Sequence, residues 1–331
     1  MAHARLNTAT GIMLDCMVPG PMVAAMQSSS SPSSQVLRAK VLAQQEKHEE
    51  AITAFEAAIA MLTISGDASG DPQAPSTPPP SQPSECEDMV KAMVGKGISL
   101  GKLGRFDAAE KAFDAALDLD RDNVEALTYL GLLRCQGKRI EEGLSLYRRA
   151  RELDPSFELA SEGLARALTD EGTRLMVLGQ ADEAMSKYTE ASQVCPSYAP
   201  AYYNEGIVLA ERGLVHEALN SYARALELCP RYAEAHNNRG VLLKGLDRLP
   251  EAIEAYRACL DVNPNFELGA HNLALALSDL GTAVKAQGRV QEAIHLYQQA
   301  LHYNATSADV MYNLAVAYVE DNEPLKASIW Y

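Results

Sequence analysis

A small residue, an aromatic residue and a second small residue recur along this 331-residue chain, spaced four and then three positions apart. The sequence numbers of their first members rise in steps of 34, 41, 34, 34 and 41. Spacings of three and four place such residues on one face of an α-helix. The six clearest copies are Ala109/Phe113/Ala116, Gly143/Tyr147/Ala150, Ala184/Tyr188/Ala191, Ala218/Tyr222/Ala225, Ala252/Tyr256/Cys259 and Ala293/Tyr297/Ala300.

The shorter of these steps is typical of the tetratricopeptide repeat, in which a helix A and a helix B form a hairpin that stacks on its neighbours. Helical periodicity continues throughout, and no segment has the alternation of a strand. The sequence therefore predicts an all-α fold, a right-handed superhelical tetratricopeptide-repeat solenoid. Glycines predicted to let helix A approach helix B closely are Gly97, Gly131, Gly206 and Gly240.

The two longer steps predict two repeats with a lengthened helix A. Residues 158–188 and 267–297 resemble each other, and each segment contains seven extra residues before the turn between the helices. Seven residues make about two helical turns. The insertion should therefore lengthen helix A with little rotation of its faces.

Composition and a weaker copy of the motif, Ala51/Phe55/Ala58, divide the chain into four predicted regions. Residues 1–35 are expected to be a disordered tail, 36–63 a weak first repeat, 64–87 a flexible insert rich in Pro and Ser, and 88–331 the main repeat array. Tyr331 occupies the aromatic position of a helix B. The last repeat is therefore expected to be truncated.

Charge and motif content exclude several classes of function. The formal net charge of −15 opposes binding to nucleic acid or to an anionic membrane, and no apolar run is long enough to span a bilayer. The negative charge is compatible with binding to basic or neutral peptides, and also with an acidic solvent-exposed face that binds nothing. Phosphate-binding, nucleophile-elbow and metalloprotease motifs do not occur. We therefore assign no catalytic, cofactor-binding or metal site to this chain.

Asparagines recur in phase on helix A. The first three are separated by the shorter step of the repeat, and the fourth follows after the longer step. Asparagine is a mediocre helix former, but its amide can both donate to and accept from the peptide groups of an extended chain. The sequence predicts a peptide-binding ladder, with bracing of adjacent repeats as the alternative. Tyr129 and Gly163 occupy the earlier equivalent positions, so the ladder would consist of Asn204, Asn238, Asn272 and Asn313.

The segment 120–331 resembles the repeat region of the SPINDLY family, and the two lengthened repeats in these positions make the resemblance specific. The residues that support it are Asp154-Pro155-Ser156-Phe157, Leu168-Thr169-Asp170-Glu171-Gly172-Thr173, Ala199-Pro200-Ala201-Tyr202-Tyr203-Asn204-Glu205-Gly206, Asn263-Pro264-Asn265-Phe266-Glu267, Leu277-Ser278-Asp279-Leu280-Gly281-Thr282 and Asp309-Val310-Met311-Tyr312-Asn313-Leu314.

The resemblance implies a function that the residues alone do not. SPINDLY proteins are similar to O-GlcNAc transferase and are nucleocytoplasmic O-glycosyltransferases that restrain gibberellin signalling. They use a nucleotide sugar, GDP-fucose or UDP-GlcNAc, and their catalytic domain follows the repeats. The resemblance therefore implies that this chain is an N-terminal fragment in which the catalytic domain is absent. The resemblance implies that this chain binds extended Ser/Thr-containing protein segments in the nucleus and cytoplasm.

Two further expectations complete this interpretation. The apolar residues at 327–331 predict fraying or self-association. The competing hypothesis is a free-standing scaffold, similar to a co-chaperone adaptor, without enzymatic activity.

Overall fold

A computed structural model describes residues 31–66 and 83–330, and these residues form α-helices without a strand. The predicted all-α class is therefore confirmed. The chain divides into two compact units, Met1–Glu171 and Gly172–Tyr331. The described helices are α1 (Pro32–Gln44), α2 (His48–Gly66), α3 (Pro83–Lys102), α4 (Phe106–Leu119), α5 (Val124–Gln136), α6 (Ile140–Leu153), α7 (Glu158–Val177), α8 (Ala181–Val194), α9 (Ala199–Glu211), α10 (Val215–Leu228), α11 (Ala233–Gly245), α12 (Leu249–Val262), α13 (Glu267–Ala286), α14 (Val290–Tyr303), α15 (Ala308–Glu320) and α16 (Pro324–Ala327).

The predicted tail, 1–35, and the predicted insert, 64–87, lie mostly outside the described residues. Their described margins are helical, because α1 begins at Pro32, α2 continues to Gly66 and α3 begins at Pro83. Ser31 caps α1 by accepting a hydrogen bond from the backbone N–H of Ser34, and proline favours the first helical turn. Composition therefore placed the helix boundaries a few residues from where local capping sets them.

Helices pair as the period predicts. In the first unit α3 packs on α4 and α5 on α6, and in the second unit α9 packs on α10, α11 on α12 and α13 on α14. Helices α5, α9 and α11 have 13 residues, whereas α7 and α13 have 20. The seven additional residues therefore lengthen helix A, as predicted.

An aromatic ring of helix B packs against a glycine of helix A in successive repeats. A Cβ added to Gly206 would lie 2.7 Å from Cε1 of Tyr222, and one added to Gly240 would lie 2.6 Å from Cε1 of Tyr256. Both distances are shorter than real Cβ contacts, and both tyrosines are buried. These positions therefore require glycine, because a close-packed interior cannot absorb an added methyl group without displacement.

The turn between helices A and B requires a residue with positive φ. Glycine is the residue that adopts this conformation without a steric penalty. Half of the described turns use glycine there and half use another residue. The positions are Glu46, Gly104, Lys138, Gly179, Gly213, Asp247, Gly288 and Asn322, with φ between 59° and 80°.

Candidate functional site

The four asparagines predicted to contact a peptide all lie in the second unit, on helices α9, α11, α13 and α15. Asn204 is buried, with 7% of its surface exposed, and Asn238, Asn272 and Asn313 are half-buried. Helix α13 contacts both α11 and α15, so the asparagines of these three helices lie on consecutive neighbours.

Side-chain hydrogen bonds join three of these helices. Nδ2 of Asn272 donates to Oδ1 of Asn237 at 2.9 Å, and Nδ2 of Asn237 donates to Oδ1 of Asn238 at 3.2 Å. Nδ2 of Asn238 donates to the hydroxyl of Tyr203 at 3.2 Å. We call these four residues, Tyr203, Asn237, Asn238 and Asn272, the amide bridge. The amide bridge connects α9, α11 and α13, and each of its hydrogen bonds is donated in the direction from α13 toward α9.

Asn237 is the asparagine of the amide bridge that sequence reasoning missed. It precedes a predicted ladder residue, and its side chain is 2% exposed. A signal for it exists in the spacing, because Asn237 and Asn272 lie 35 residues apart, as do Tyr203 and Asn238. A residue on one helix A therefore contacts the next helix A one position beyond its own equivalent there. A comparison at the shorter repeat step aligns equivalent positions and does not reveal these contacts.

The asparagines differ in the hydrogen-bonding capacity that remains. Asn238 accepts from Asn237, donates to Tyr203 and lies beside the hydroxyl of Tyr222. Asn272 uses one N–H toward Asn237, and no other hydrogen bond of its amide occurs among the described residues. Asn238 therefore braces repeats, while Asn272 retains its carbonyl oxygen and second N–H. Asn204 and Asn313 are not members of the bridge.

Aromatic packing occupies the equivalent positions in the first unit. Tyr129 stacks on Phe113, with ring centroids 5.9 Å apart and an interplanar angle of 9°. A Cβ on Gly163 would lie 2.7 Å from Cζ of Tyr147, so an asparagine at this position would collide with the ring. The row of asparagines therefore begins in the second unit because rings fill the corresponding space in the first.

Buried and apolar groups lie beside the amide bridge, and Glu234 is the charged residue that acts on Tyr203. Burial is the main cause that raises the pKa of Tyr203 to about 12, so its hydroxyl remains protonated at neutral pH. Val241 and Leu275 follow Asn238 and Asn272 by three residues, and they are 46% and 37% exposed. These residues place accessible apolar surface one helical turn from the amides.

Ion pairs also join neighbouring A helices of the second unit. Lys244 lies 2.9 Å from Asp279, and Lys285 lies 3.3 Å from Glu320. Both pairs have the same sequence separation as the contacts between helices in the amide bridge. The four charges of these two pairs therefore neutralise one another.

No group of three or more His, Cys, Asp or Glu residues that could hold a metal occurs in 31–66 and 83–330. Burial raises the pKa of the Cys135 and Cys259 thiols to about 11, which leaves them protonated and unreactive at neutral pH. No helix in the described part of the chain is long and apolar enough to cross a membrane.

Family models agree with the repeats that the structure contains. Models described as tetratricopeptide repeat match residues 32–61, 94–157, 231–303 and 285–329, and a model described as TPR repeat matches 206–247. Together these matches include more than half of the chain.

Curated relatives extend the match beyond single repeats. Over 231 residues, 70% of this chain, it is 46% identical to the "Probable UDP-N-acetylglucosamine--peptide N-acetylglucosaminyltransferase SPINDLY" of Hordeum vulgare. Identity to the protein of the same name from Eustoma exaltatum subsp. russellianum is 35% over the same length. The chain spans 24% of the length of each of these relatives.

A solved structure shares the fold. It is the C-terminal part of a TPR repeat-containing protein from Cytophaga hutchinsonii, which is 14% identical in sequence. The alignment covers 84% of this chain and 99% of that chain, with a TM-score of 0.54. At this identity the similarity supports the fold alone.

Proposed function

Because this chain is a tetratricopeptide-repeat protein of the SPINDLY family, we propose that it binds extended segments of protein substrates for O-glycosylation. The observation that supports this most directly is the row of A-helix amides in the second unit. Asn272 and Asn313 are half-buried and accessible, and Asn272 has hydrogen-bonding groups that the fold does not use. An amide can accept from a backbone N–H and donate to a backbone carbonyl of an extended chain.

The chemistry around the amides favours recognition of the backbone over recognition of charge. Paired ions and exposed apolar side chains flank the row, so a neutral segment rich in Ser, Thr and Ala would bind there without the cost of burying a charge. Each amide–peptide hydrogen bond contributes about 0.5–1.5 kcal/mol net, so binding needs several repeats. The proposed ligand is therefore long and extended, with loose sequence requirements.

The names of the relatives suggest which reaction the bound segment would enter. Those proteins are named as peptide N-acetylglucosaminyltransferases that use UDP-N-acetylglucosamine. We propose that segments held here receive a sugar on Ser or Thr from a nucleotide sugar, UDP-GlcNAc or GDP-fucose, in the nucleus and cytoplasm. The sugar donor would bind to a catalytic domain, and this chain supplies the substrate-binding surface.

Peptide binding tests the first half of this proposal. A fluorescein-labelled peptide of repeated Ala-Ser-Thr triplets is titrated with the protein, and binding is followed by fluorescence anisotropy. Asn272→Ala and Asn313→Ala should each weaken binding by roughly 2- to 10-fold, the value of one hydrogen bond. Asn220→Ala is the matched control, because Asn220 is exposed on α10 and away from the row. Equal affinities for all three variants would contradict the proposed site.

Competition tests the second half. The chain is added to a reaction in which the Hordeum vulgare relative glycosylates a Ser/Thr-rich substrate, and sugar transfer is measured by mass spectrometry. A shared substrate would be sequestered, so transfer should fall with added chain and recover when Asn272→Ala/Asn313→Ala replaces it. Unchanged transfer despite measurable peptide binding would favour a scaffold that is unconnected with glycosylation.

Self-association is a separate proposal for the C-terminal helices. Leu325 is 84% exposed and Ile329 is 75% exposed. Two large apolar side chains at a solvent face favour association between copies. Sedimentation velocity should show a concentration-dependent species that Leu325→Asp/Ile329→Asp abolishes, whereas a single monomeric species at all concentrations would exclude it.

A further inference from the structure

The amide bridge contains a residue whose hydrogen bonds are obligatory. The side chain of Asn237 is 2% exposed, so water cannot satisfy its amide. A buried polar group without a partner is strongly destabilising, so both bonds of Asn237 are maintained in the folded state. Asn272 and Asn238 are half-buried, and in isolation each amide could exchange its partners with water. Their bonds to Asn237 remove this freedom.

We propose that Asn237 is a positioning residue that orients the amide of Asn272 for the ligand, an inference that rests on the proposed peptide-binding function. Because Nδ2 of Asn272 donates to Oδ1 of Asn237, its amide group is held in one orientation relative to α11. The carbonyl oxygen of Asn272 then remains as an acceptor in a fixed direction. A bound segment would contribute a backbone N–H to it.

The direction of donation strengthens this assignment. Donation runs from Asn272 through Asn237 and Asn238 to Tyr203, so each amide in the bridge has its nitrogen and oxygen sides determined by its neighbour. The Tyr203 ring is itself held by Tyr232, with centroids 4.7 Å apart, and its hydroxyl remains protonated. The chain of bonds therefore ends on a rigid group. A fixed acceptor reduces the entropy that ordering Asn272 would otherwise cost on binding.

A double-mutant cycle distinguishes positioning from general support of the fold. With the Ala-Ser-Thr peptide as probe, Asn237→Ala should weaken binding by about 2- to 10-fold, and by no more than Asn272→Ala does, because it acts through that residue. In an Asn272→Ala background the same change should have almost no effect, because the group that it positions is absent. In its protonated form, which burial favours, the side chain of Asn237→Asp retains a carbonyl acceptor for Asn272 and a hydroxyl donor toward Asn238, so it should restore most of the affinity. Thr282→Val is the control, because it removes a hydrogen bond from α13 away from Asn272 and should leave affinity unchanged.

Nuclear magnetic resonance of the Asn272 side-chain NH₂ gives a readout that does not depend on the ligand. Its hydrogen exchange should be slow in the wild-type protein and in Asn237→Asp, and fast in Asn237→Ala. Binding by the wild type with equal losses from Asn237→Ala in both backgrounds would overturn the positioning role while the proposed function stands. No binding by the wild type would refute the proposed function, and the positioning role of Asn237 with it.

Discussion

The two long repeats are built to the same plan but present different surfaces. Gly172 packs on Tyr188 and Gly281 on Tyr297, with an added Cβ 2.6 Å and 2.9 Å from the respective rings. In each case the next residue bonds the same tyrosine hydroxyl, at 3.3 Å from Thr173 and at 3.0 Å from Thr282. The Gly-Thr pair of both repeats is thus explained by the tyrosine of the helix B that follows it.

The surfaces of the same helices have diverged. Where α13 has Asn272 and Leu275, α7 has Gly163 and Arg166 at the equivalent positions of the first long repeat. Arg166 lies beside Tyr147, whereas Leu275 is 37% exposed. The C-terminal half of a long helix A therefore preserves the fold, whereas its N-terminal half differs between the repeats: a tyrosine ring fills the space at Gly163, and Asn272 and Leu275 stay partly exposed.

The largest expected effect comes from removing the buried tyrosine, and it tests whether this ring stabilises both long repeats equally. Tyr297→Ala and Tyr188→Ala should each destabilise the protein by about 3–5 kcal/mol, because each ring is fully buried and leaves a cavity. Hydrogen exchange of α13–α14 and of α8, measured by mass spectrometry, reports the local loss. A markedly smaller cost for Tyr188 would show that the first long repeat depends on other contacts.

Adding a methyl group to the glycine beneath each ring should be costly as well. Gly172→Ala and Gly281→Ala should each lose about 1–3 kcal/mol from overpacking, reduced by the better helix propensity of alanine. Gly101→Ala is the matched control, since no atom lies within 4 Å of its added Cβ. That variant should gain up to about 1 kcal/mol in urea unfolding. A gain at all three positions would refute the requirement for glycine.

Removing the threonine hydroxyls should have a smaller and graded effect. Thr282→Val and Thr173→Val each delete a bond to a tyrosine hydroxyl, worth about 0.5–1.5 kcal/mol. The shorter bond of Thr282 predicts the larger loss. Urea unfolding of each variant, alone and combined with Tyr297→Phe or Tyr188→Phe, measures the coupling, which should disappear when either partner is already changed. Additive losses would indicate that the hydroxyls do not interact.

The smallest effect concerns pH and the turns before the two long helices. Hydrogen bonds from Ser156 to the Asp154 carboxylate lower its pKa, and Asn263 occupies the equivalent position before α13. Because the pKa of Asp154 is lower in the folded than in the unfolded protein, its ionised carboxylate stabilises the turn at pH values above the unfolded pKa of about 3.9. This contribution is lost as pH falls through the folded pKa.

The two turns should therefore respond differently to low pH. Amide shifts of Ser156 should titrate below about pH 4, whereas those of Asn265 should not respond to Asn263. Asp154→Asn should abolish the titration at Ser156. A persistent transition in that variant would assign it to another carboxylate.

Much of the fold was predictable because its determinants are periodic. The aromatic positions, the glycines beneath them and the two lengthened helices all follow from local spacing, since each repeat contacts only its neighbours. The asparagines of the candidate site were also predictable, because they recur at the repeat step on helix A. Their contact with a peptide stays a prediction. Asn237 was missed because it occurs once and its partner Asn272 lies 35 residues away, one position out of phase with the repeat.

Sequence by itself determined the repeat, the length of each helix A and the family, because these depend on residue types at fixed intervals. Only the tertiary structure decided which asparagines the protein uses for itself and which retain free groups. That distinction depends on how neighbouring helices are offset, which places Tyr203 against Asn238 and Tyr147 against Gly163. The small–aromatic–small period does not reveal this offset, because a helix A with the same period can have either a ring or an amide at the same position.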